Sequence, residues 1–395
     1  MPDIEHDIKP SEMPYERFGI PKLGFENYWY PVLTAREVRG KPRAVRLVGR
    51  DIVLFRDKGE LFALDDRCPH RGVKLSAGKC DYAGTGTITC PYHGWTFDGA
   101  SGQLVAALME GPDSPLTRKV AVRTYPVKEF GGLIWIWPGE MEPVALEDDV
   151  PEYVGHQDTF FTIGMYTDYK CNWRALVDNW PSDHHAQMVH RNSPELMFQP
   201  ILPFALTLEP KPLEGDKGIS IKRIGGMTSA DYPGLGSFPN KEWWRVMKPA
   251  GRGNTMGFEK SKAHAVYGIK NQSEVWLPGL IIVGRLSGEY CLVQWAVPID
   301  GETTRCFNVN SWRRLGRWRE IYDRAHYYLW RGWAHDHLFS DQDKTMVEAL
   351  VPGPERLART DTGVIAWRRF AGTHARRPAD ALPITEMAQD MAAGE

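Results

Sequence analysis

Two short segments hold the residues best suited to bind a metal: Cys68-Pro69-His70-Arg71-Gly72 and Cys90-Pro91-Tyr92-His93-Gly94-Trp95. Each offers one thiol and one imidazole. Structural zinc also takes two cysteines and two histidines, but in finger-type sites both cysteines precede both histidines. One Cys and one His per loop suits a two-iron, two-sulfide centre, in which one iron takes both thiolates and the other both imidazoles. Neutral imidazoles in place of two thiolates reduce the negative charge and raise the potential. Gly72 and Gly94 would let the backbone approach such a cluster closely. Cys80, Cys171, Cys291 and Cys306 are left over and read as ordinary buried thiols.

A second group lies in Asp178-Asn179-Trp180-Pro181-Ser182-Asp183-His184-His185-Ala186-Gln187-Met188-Val189-His190. Two neutral imidazoles and one carboxylate on one face of Fe(II) leave positions open for O2 and for substrate approach. His185 and His190 are five apart, which on a regular helix separates them by about 140°. Both reach one ion only if the helix is bulged or locally unwound, and Pro181 just upstream is compatible with that irregularity.

The pattern Cys68-x-His70 with Cys90-x-x-His93-Gly94-Trp95 resembles the Rieske non-haem iron oxygenases. The resemblance runs from Asn27-Tyr28-Trp29-Tyr30-Pro31-Val32 to Ala366-Trp367-Arg368-Arg369, and looks strongest toward single-polypeptide oxygenases acting on carbazole, oxoquinoline and dicamba. It implies a [2Fe–2S] cluster held by Cys68, His70, Cys90 and His93. Respiratory Rieske proteins carry an extra cysteine in each loop. Those places hold Val73 and Tyr92 here, which points to the oxygenase or ferredoxin branch.

For the second centre the resemblance implies mononuclear non-haem Fe(II) held by His185, His190 and a carboxylate from Ser340-Asp341-Gln342-Asp343-Lys344-Thr345-Met346-Val347-Glu348. Asp343 matches the ligand position, and Asp341 is the fallback. His184 is the alternative to His185. Asn179 fits the family spacing, but Ser182 stands where the family usually has an aspartate linking a cluster histidine of one subunit to an iron-ligand histidine of its neighbour. Asp183, one residue later, is the expected substitute, with a water bridge through Ser182 as the competing reading.

The implied activity is that of a terminal oxygenase component. It would take electrons from a ferredoxin and/or an NAD(P)H-dependent flavin reductase and use O2 to mono- or dioxygenate, or oxidatively demethylate, a small aromatic or polycyclic substrate. No G-x-G-x-x-G follows a strand, so nicotinamide and flavin are expected on another protein. Family precedent implies a head-to-tail homotrimer. Arg71, Lys74 and Lys79 would attract an acidic ferredoxin or form a solvated rim. Two rival readings stay open: a Rieske-type electron carrier with a degenerate second domain, and a structural zinc protein.

The elements that must position these groups read as follows. Apolar runs at 44–48, 52–55, 61–64, 96–97, 120–122 and 133–137, separated by Gly-centred turns, suggest a small all-β sandwich or barrel. Strand-like runs follow at 159–166, 219–224, 280–283, 290–297 and 304–311, with helical stretches at 172–189 and about 315–350. The fold class expected is α+β: an N-terminal all-β domain, then a catalytic domain with an antiparallel sheet and helices, helix-grip or START-like by the resemblance. The boundaries expected are an arm at 1–42, a Rieske domain at 43–140, a catalytic iron domain at 141–375 and a tail at 376–395. The acidic, Pro-punctuated stretch 140–151 reads as the linker.

Composition sets outer bounds. The 395 residues carry 48 basic and 50 acidic side chains, a formal charge of −2, which argues against a nucleic-acid binder. The apolar runs 104–109 and 133–137 are too short to span a bilayer. The charged first ten residues do not resemble a signal peptide, and six cysteines make no disulfide framework, so a cytoplasmic protein is expected. Fifteen tryptophans serve either as core filling or as the walls of an apolar pocket for a flat substrate.

Overall fold

The computed structural model describes residues 15–156, 158–182, 185–190, 207–224, 272–286, 289–351 and 353–377. The N-terminal half is built from three small antiparallel sheets. One comprises β2 (Arg43–Leu47), β3 (Arg50–Asp57) and β4 (Glu60–Asp65), and a second comprises β5 (Thr87–Thr89), β6 (Trp95–Asp98) and β7 (Leu104–Ala107). The third places β1 (Tyr30–Thr34) beside β9 (Leu133–Ile136), which pairs with β8 (Val127–Phe130). Val53, Phe55, Leu64, Ile88, Trp95, Phe97 and Leu104 pack into one core that also takes in Cys68 and Cys90. The apolar triplet 120–122, expected as a strand, contributes only a single bridge from Ala121 to Gln103. That bridge is made by two backbone bonds, Val122 N–H to the carbonyl of Gly102 at 2.9 Å and Leu104 N–H to the carbonyl of Val120 at 2.8 Å.

The second half is a seven-stranded antiparallel sheet. Its order is β10 (Phe160–Tyr169), β16 (Thr304–Arg313), β15 (Tyr290–Pro298), β14 (Leu280–Leu286), β13 (Gln272–Trp276), β12 (Gly218–Ile224) and β11 (Thr207–Pro212). Every residue of β15 is buried, so this strand is covered on both faces. Trp295 and Phe307 are cross-strand partners and face the N-terminal half, where Trp135 meets Trp295 edge-on at 5.4 Å. Such a pair contributes about 0.5–1.5 kcal/mol beyond the area it buries. Gln294 and Asn308, one residue along, face the helices instead: Gln294 Nε2 donates to Asn308 Oδ1 at 2.8 Å, and Asn308 Nδ2 lies 3.4 Å from Ser340 Oγ. Trp29, Trp135, Trp137, Trp173, Trp295 and Trp367 are fully buried, so these six are core filling rather than pocket wall.

The helices cover that second face. The stretch 140–151 holds a short helix, α1 (Leu146–Asp149), followed by α2 (Glu152–Gly155). The run expected as one helix over 172–189 is two: α3 (Trp173–Ser182) and α4 (Ala186–Val189). Asn172 starts α3, its Oδ1 accepting from Arg174 N at 3.2 Å, while Pro181 sits in the last turn. The run expected as one helix over 315–350 is α5 (Arg317–His326), a π-helix (Tyr327–Phe339) and α6 (Ser340–Glu348). The wide winding has a reason in the side chains. Tyr327 Oη donates to Asp336 Oδ2 at 2.6 Å, and nine residues on an α-helix would put the two about 180° apart. Winding with i→i+5 hydrogen bonds brings them to one buried face, where Asn310 Nδ2 also reaches Asp336 at 3.4 Å. Finally α7 (Thr362–His374) lies against α3, with buried Arg368 donating to Asp178 Oδ2 at 2.6 Å. No helix among the described residues is long and apolar enough to cross a membrane.

Candidate metal centres

The two Cys-His loops have the same backbone design. Cys68 N–H bonds to the carbonyl of Val73 at 2.8 Å and Gly72 N–H returns to the carbonyl of Cys68 at 2.8 Å. In the other loop Cys90 N–H bonds to Trp95 at 2.8 Å and Gly94 N–H to Cys90 at 3.1 Å. The glycine closing each loop has a positive φ, 78° at Gly72 and 66° at Gly94, where a side chain would be strained. The first loop follows β4 and the second joins β5 to β6. Paired in this way, the loops bring the rings of His70 and His93 to 4.6 Å between centroids. Trp95 stacks on His70 at 4.7 Å with planes 8° apart.

The donor set fits a cluster. Cys68 and Cys90 are buried and free, and Nδ1 of His93 is buried with no hydrogen-bond partner among the described residues. Burial, with the Cys90 thiol beside it, pushes the Cys68 thiol up to about 11, while the N–H groups of His70 and Arg71 act in the opposite sense. A bound iron is what would bring such a thiol to its thiolate.

At the second centre α3 ends at Ser182, and His185 immediately precedes α4, whose Met188 and Val189 N–H groups bond to the His185 carbonyl at 2.9 and 2.7 Å. His190 follows at the far end of α4. α4 is a single turn with both histidines outside it, so the two imidazoles are not held to the faces of one regular helix and both meet Asp343 of α6. His185 Nε2 lies 3.3 Å and His190 Nε2 3.1 Å from Asp343 Oδ1. The three ligating atoms lie within 4.8 Å of one another, and among the described residues they form the one such cluster of three. Asp343 rather than Asp341 is the carboxylate brought in, and Asn179 Nδ2 donates to its Oδ1 at 3.1 Å. Asp183 and His184 lie outside the described residues.

The outward nitrogens of the two rings are occupied. Ser182 Oγ donates to the carbonyl of Asn179 at 2.8 Å and lies 3.1 Å from His185 Nδ1. Gln342 Oε1 lies 3.1 Å from His190 Nδ1, and Phe339 stacks on the same ring at 3.5 Å. Both acceptors require an Nδ1–H, which leaves each Nε2 as a lone pair aimed at the anionic Asp343. His190 Nε2 is buried there without a hydrogen bond. Lone pairs converging at this range repel one another unless a cation lies between them, so the residues fit a metal. Gln342 and Phe339 were not singled out in the sequence. Their one signal is the spacing of Phe339, which lies three residues before Gln342 and four before Asp343, one helical turn away from each.

This fold and these two centres have counterparts among known proteins. Residues 28–126 match the Rieske [2Fe-2S] domain family, and residues 137–378 match the homotrimeric ring hydroxylase family. The chain therefore belongs to the Rieske non-haem iron oxygenases. It is a terminal oxygenase component, equipped by its family with a Rieske [2Fe–2S] cluster and a mononuclear iron. It is 33% identical over 381 residues to the terminal oxygenase component of carbazole 1,9a-dioxygenase from a Sphingomonas species, covering 92% of this chain and 95% of the relative. The oxygenase component of dicamba O-demethylase from Stenotrophomonas maltophilia is 38% identical over 171 residues, 42% of this chain and 47% of that one. The solved terminal oxygenase of carbazole 1,9a-dioxygenase from Nocardioides aromaticivorans superposes with a TM-score of 0.74 at 26% identity, covering 92% of this chain and 98% of the other. Neither the zinc protein nor the electron carrier with a degenerate second domain accommodates these matches.

Proposed function

We propose that Cys68 and Cys90 hold one iron of the cluster and His70 and His93 the other, while His185, His190 and Asp343 hold the ferrous ion, with Asn179 orienting Asp343. The convergence of two imidazole nitrogens and one carboxylate oxygen within 4.8 Å carries this reading. Loaded with iron, the two centres supply electron storage and activation of O2, respectively. The chain's own part is orientation and burial. The residues on either side of α4 and the first turn of α6 present the three ligating atoms, with His190 and Asp343 buried. The electron-carrying unit corresponds to residues 43–140 and the oxygen-using unit to 141–375, with segments 1–42 and 376–395 flanking them.

The electron donor is proposed to be a ferredoxin, itself served by an NAD(P)H-dependent flavin reductase. A solved carbazole 1,9a-dioxygenase oxygenase that covers 90% of this chain was captured in a complex with ferredoxin. Here Arg71, Lys74 and Lys79 are exposed around the first cluster loop and supply a positive rim. The assembly is proposed to be a homotrimer. Exposed Met188, Met346, Leu350 and Val351 around the mononuclear site give a neighbouring subunit an apolar surface to cover. The bridge between the centres is assigned to Asp183 on the sequence alone. A cytoplasmic location is proposed, in line with six cysteines that form no disulfide among the described residues.

The substrate is proposed to be a small aromatic or polycyclic compound that undergoes hydroxylation, as mono- or dioxygenation, or oxidative demethylation. The names of the relatives, a carbazole dioxygenase and a dicamba O-demethylase, support that range. The test is O2 uptake coupled to product across a library of such compounds, with ferredoxin and reductase reconstituted. Product formed in proportion to O2 consumed supports the reading. O2 consumption that never yields product from any aromatic compound would contradict it.

A further inference from the structure

Residues 15–22 run along α3 in the reverse direction, from Asp178 back to Asn172, and lie against α7. The carbonyls of Gly19, Ile20, Pro21 and Lys22 are each taken by a side chain. Arg377 Nη2 donates to the first at 2.9 Å and Arg174 Nη1 to the second at 3.2 Å. Trp173 Nε1 donates to the third at 3.1 Å and Asn172 Nδ2 to the fourth at 2.9 Å. A Cβ added at Gly372 of α7 would lie 2.0 Å from the carbonyl oxygen of Phe18, so that helix is bare where the segment meets it. Successive carbonyls held by side chains from the start of α3 and the end of α7 make a fitted track.

The leading end of that track bears on the mononuclear site. The guanidiniums of Arg174 from α3 and Arg368 from α7 each lie over the Tyr15 ring, 4.4 Å from its centroid. These two cations repel one another. Attraction to the π face of the ring offsets the repulsion that would part the helices. Arg368, 2% exposed, also donates to Asp178 Oδ2 at 2.6 Å and to both carboxylate oxygens of Glu355 at 2.6 and 2.9 Å. The Tyr15 hydroxyl lies beside the same Asp178 carboxylate. Asp178 immediately precedes Asn179, whose amide donates to Asp343 at 3.1 Å.

We infer that residues 15–22 are a strap coupled to the mononuclear site, with Tyr15 as its positioning residue. The docked strap holds Asp178 and so fixes the last turn of α3, from which Asn179 restrains Asp343. The inference rests on the metal-site reading given above and goes beyond it.

Local chemistry explains why this end of α3 needs outside support. Pro181 lies inside the helix and has no N–H, so the bond back to the carbonyl of Val177 is missing. The turn carrying Asn179 is short of one backbone bond, and side chains set its place. Adjacent residues on a helix point about 100° apart, which lets Asp178 serve Arg368 and Tyr15 while Asn179 serves Asp343. A carboxylate already held in place need not be ordered when an ion binds, and affinity rises accordingly. Linkage makes the effect mutual: whatever the strap adds to ferrous binding, bound ferrous ion adds to docking of the strap.

The test uses full-length protein with its cluster intact and the mononuclear iron removed. Ferrous ion is titrated back against a competing chelator, and amide hydrogen exchange of the strap is followed with and without the ion. The reporters are the N–H groups of Gly19 and Ile20, which bond to the carbonyls of Glu16 and Tyr15 at 2.9 and 3.1 Å. In the parent, ferrous ion should slow their exchange about 10-fold. Tyr15→Leu should weaken ferrous binding by a similar factor, about 10-fold, with the visible spectrum of the cluster unchanged. Tyr15→Phe keeps the ring beneath both guanidiniums and should stay near the parent. A purely structural role for Tyr15 would lower the melting temperature, yet leave ferrous affinity and the response of the exchange untouched. The exchange measurement on the parent needs no variant, so it decides the matter even where Tyr15→Leu folds poorly. Parent-like affinity in a well-folded Tyr15→Leu, or strap exchange indifferent to ferrous ion in the parent, would overturn the inference. Failure of the parent itself to rebind ferrous ion would overturn the metal-site reading instead, and the inference with it.

Discussion

Asn179 Nδ2 donates to Asp343 Oδ1 at 3.1 Å across 164 residues of sequence, on the same oxygen that lies against His185 and His190. One carboxylate oxygen thus gathers the end of α3, the turn after it and the first turn of α6. The bond fixes the rotamer of Asp343 and directs a lone pair toward the imidazoles.

Asn179→Ala should therefore lower the affinity of the mononuclear site by about 10-fold or more, because an unrestrained carboxylate must be ordered when metal binds. Equilibrium ferrous binding is the measurement. The cluster spectrum, which depends on the distant loops, should not change. Unaltered affinity would mean that the helices alone orient Asp343.

Helix α7 sets the position of the end of α3. A Cβ added at Gly363 would lie 2.3 Å from the carbonyl oxygen of Pro181, the residue before Ser182. Gly363→Ala should push the last turn of α3 away from α7, at a cost of about 1–3 kcal/mol in stability. It should also reduce mononuclear iron occupancy while sparing the cluster. Thermal unfolding and iron content on one sample check both effects. A variant of parental stability and full iron content would show that this contact gives way freely.

Glu37 connects the two halves of the chain and should respond to pH. Its carboxylate accepts from Thr34 N at 2.8 Å, Thr34 Oγ1 at 2.6 Å and Tyr166 Oη at 2.7 Å. Partial burial opposes ionisation, but these bonds outweigh it and hold the group below its ordinary 4.5. A depressed value in the folded state means that the contribution is full above about pH 4.5 and is lost as pH falls through the folded value. Glu37→Gln should thus be less stable than the parent at neutral pH, with the gap narrowing below pH 4. Melting temperatures across that range test it, and a gap independent of pH would contradict the assignment.

The parts legible in the sequence were those whose information is local. Each Cys-His loop closes on itself through hydrogen bonds five and four residues apart, so its pattern survives as a motif. The five-residue spacing of His185 and His190 is incompatible with one helix face, and α4 accordingly spans only Ala186–Val189, with both histidines outside it. Long alternating or apolar runs such as Tyr290–Pro298 read directly as strands. The π-helix was not legible, since its winding answers to Tyr327, Asp336 and Asn310, which come together only in the folded chain. Gln342 escaped notice for a similar reason. A glutamine on a helix carries no mark of the histidine that it meets 152 positions away.

The central claim is that one chain carries both a two-iron cluster and a separate ferrous ion bound by His185, His190 and Asp343. Iron and acid-labile sulfide should be counted in parallel on anaerobically reconstituted parent and Asp343→Ala. The expected result is about three irons and about two sulfides per chain in the parent, against about two irons and about two sulfides in the variant, with identical cluster spectra. Equal iron in the two proteins would contradict the account.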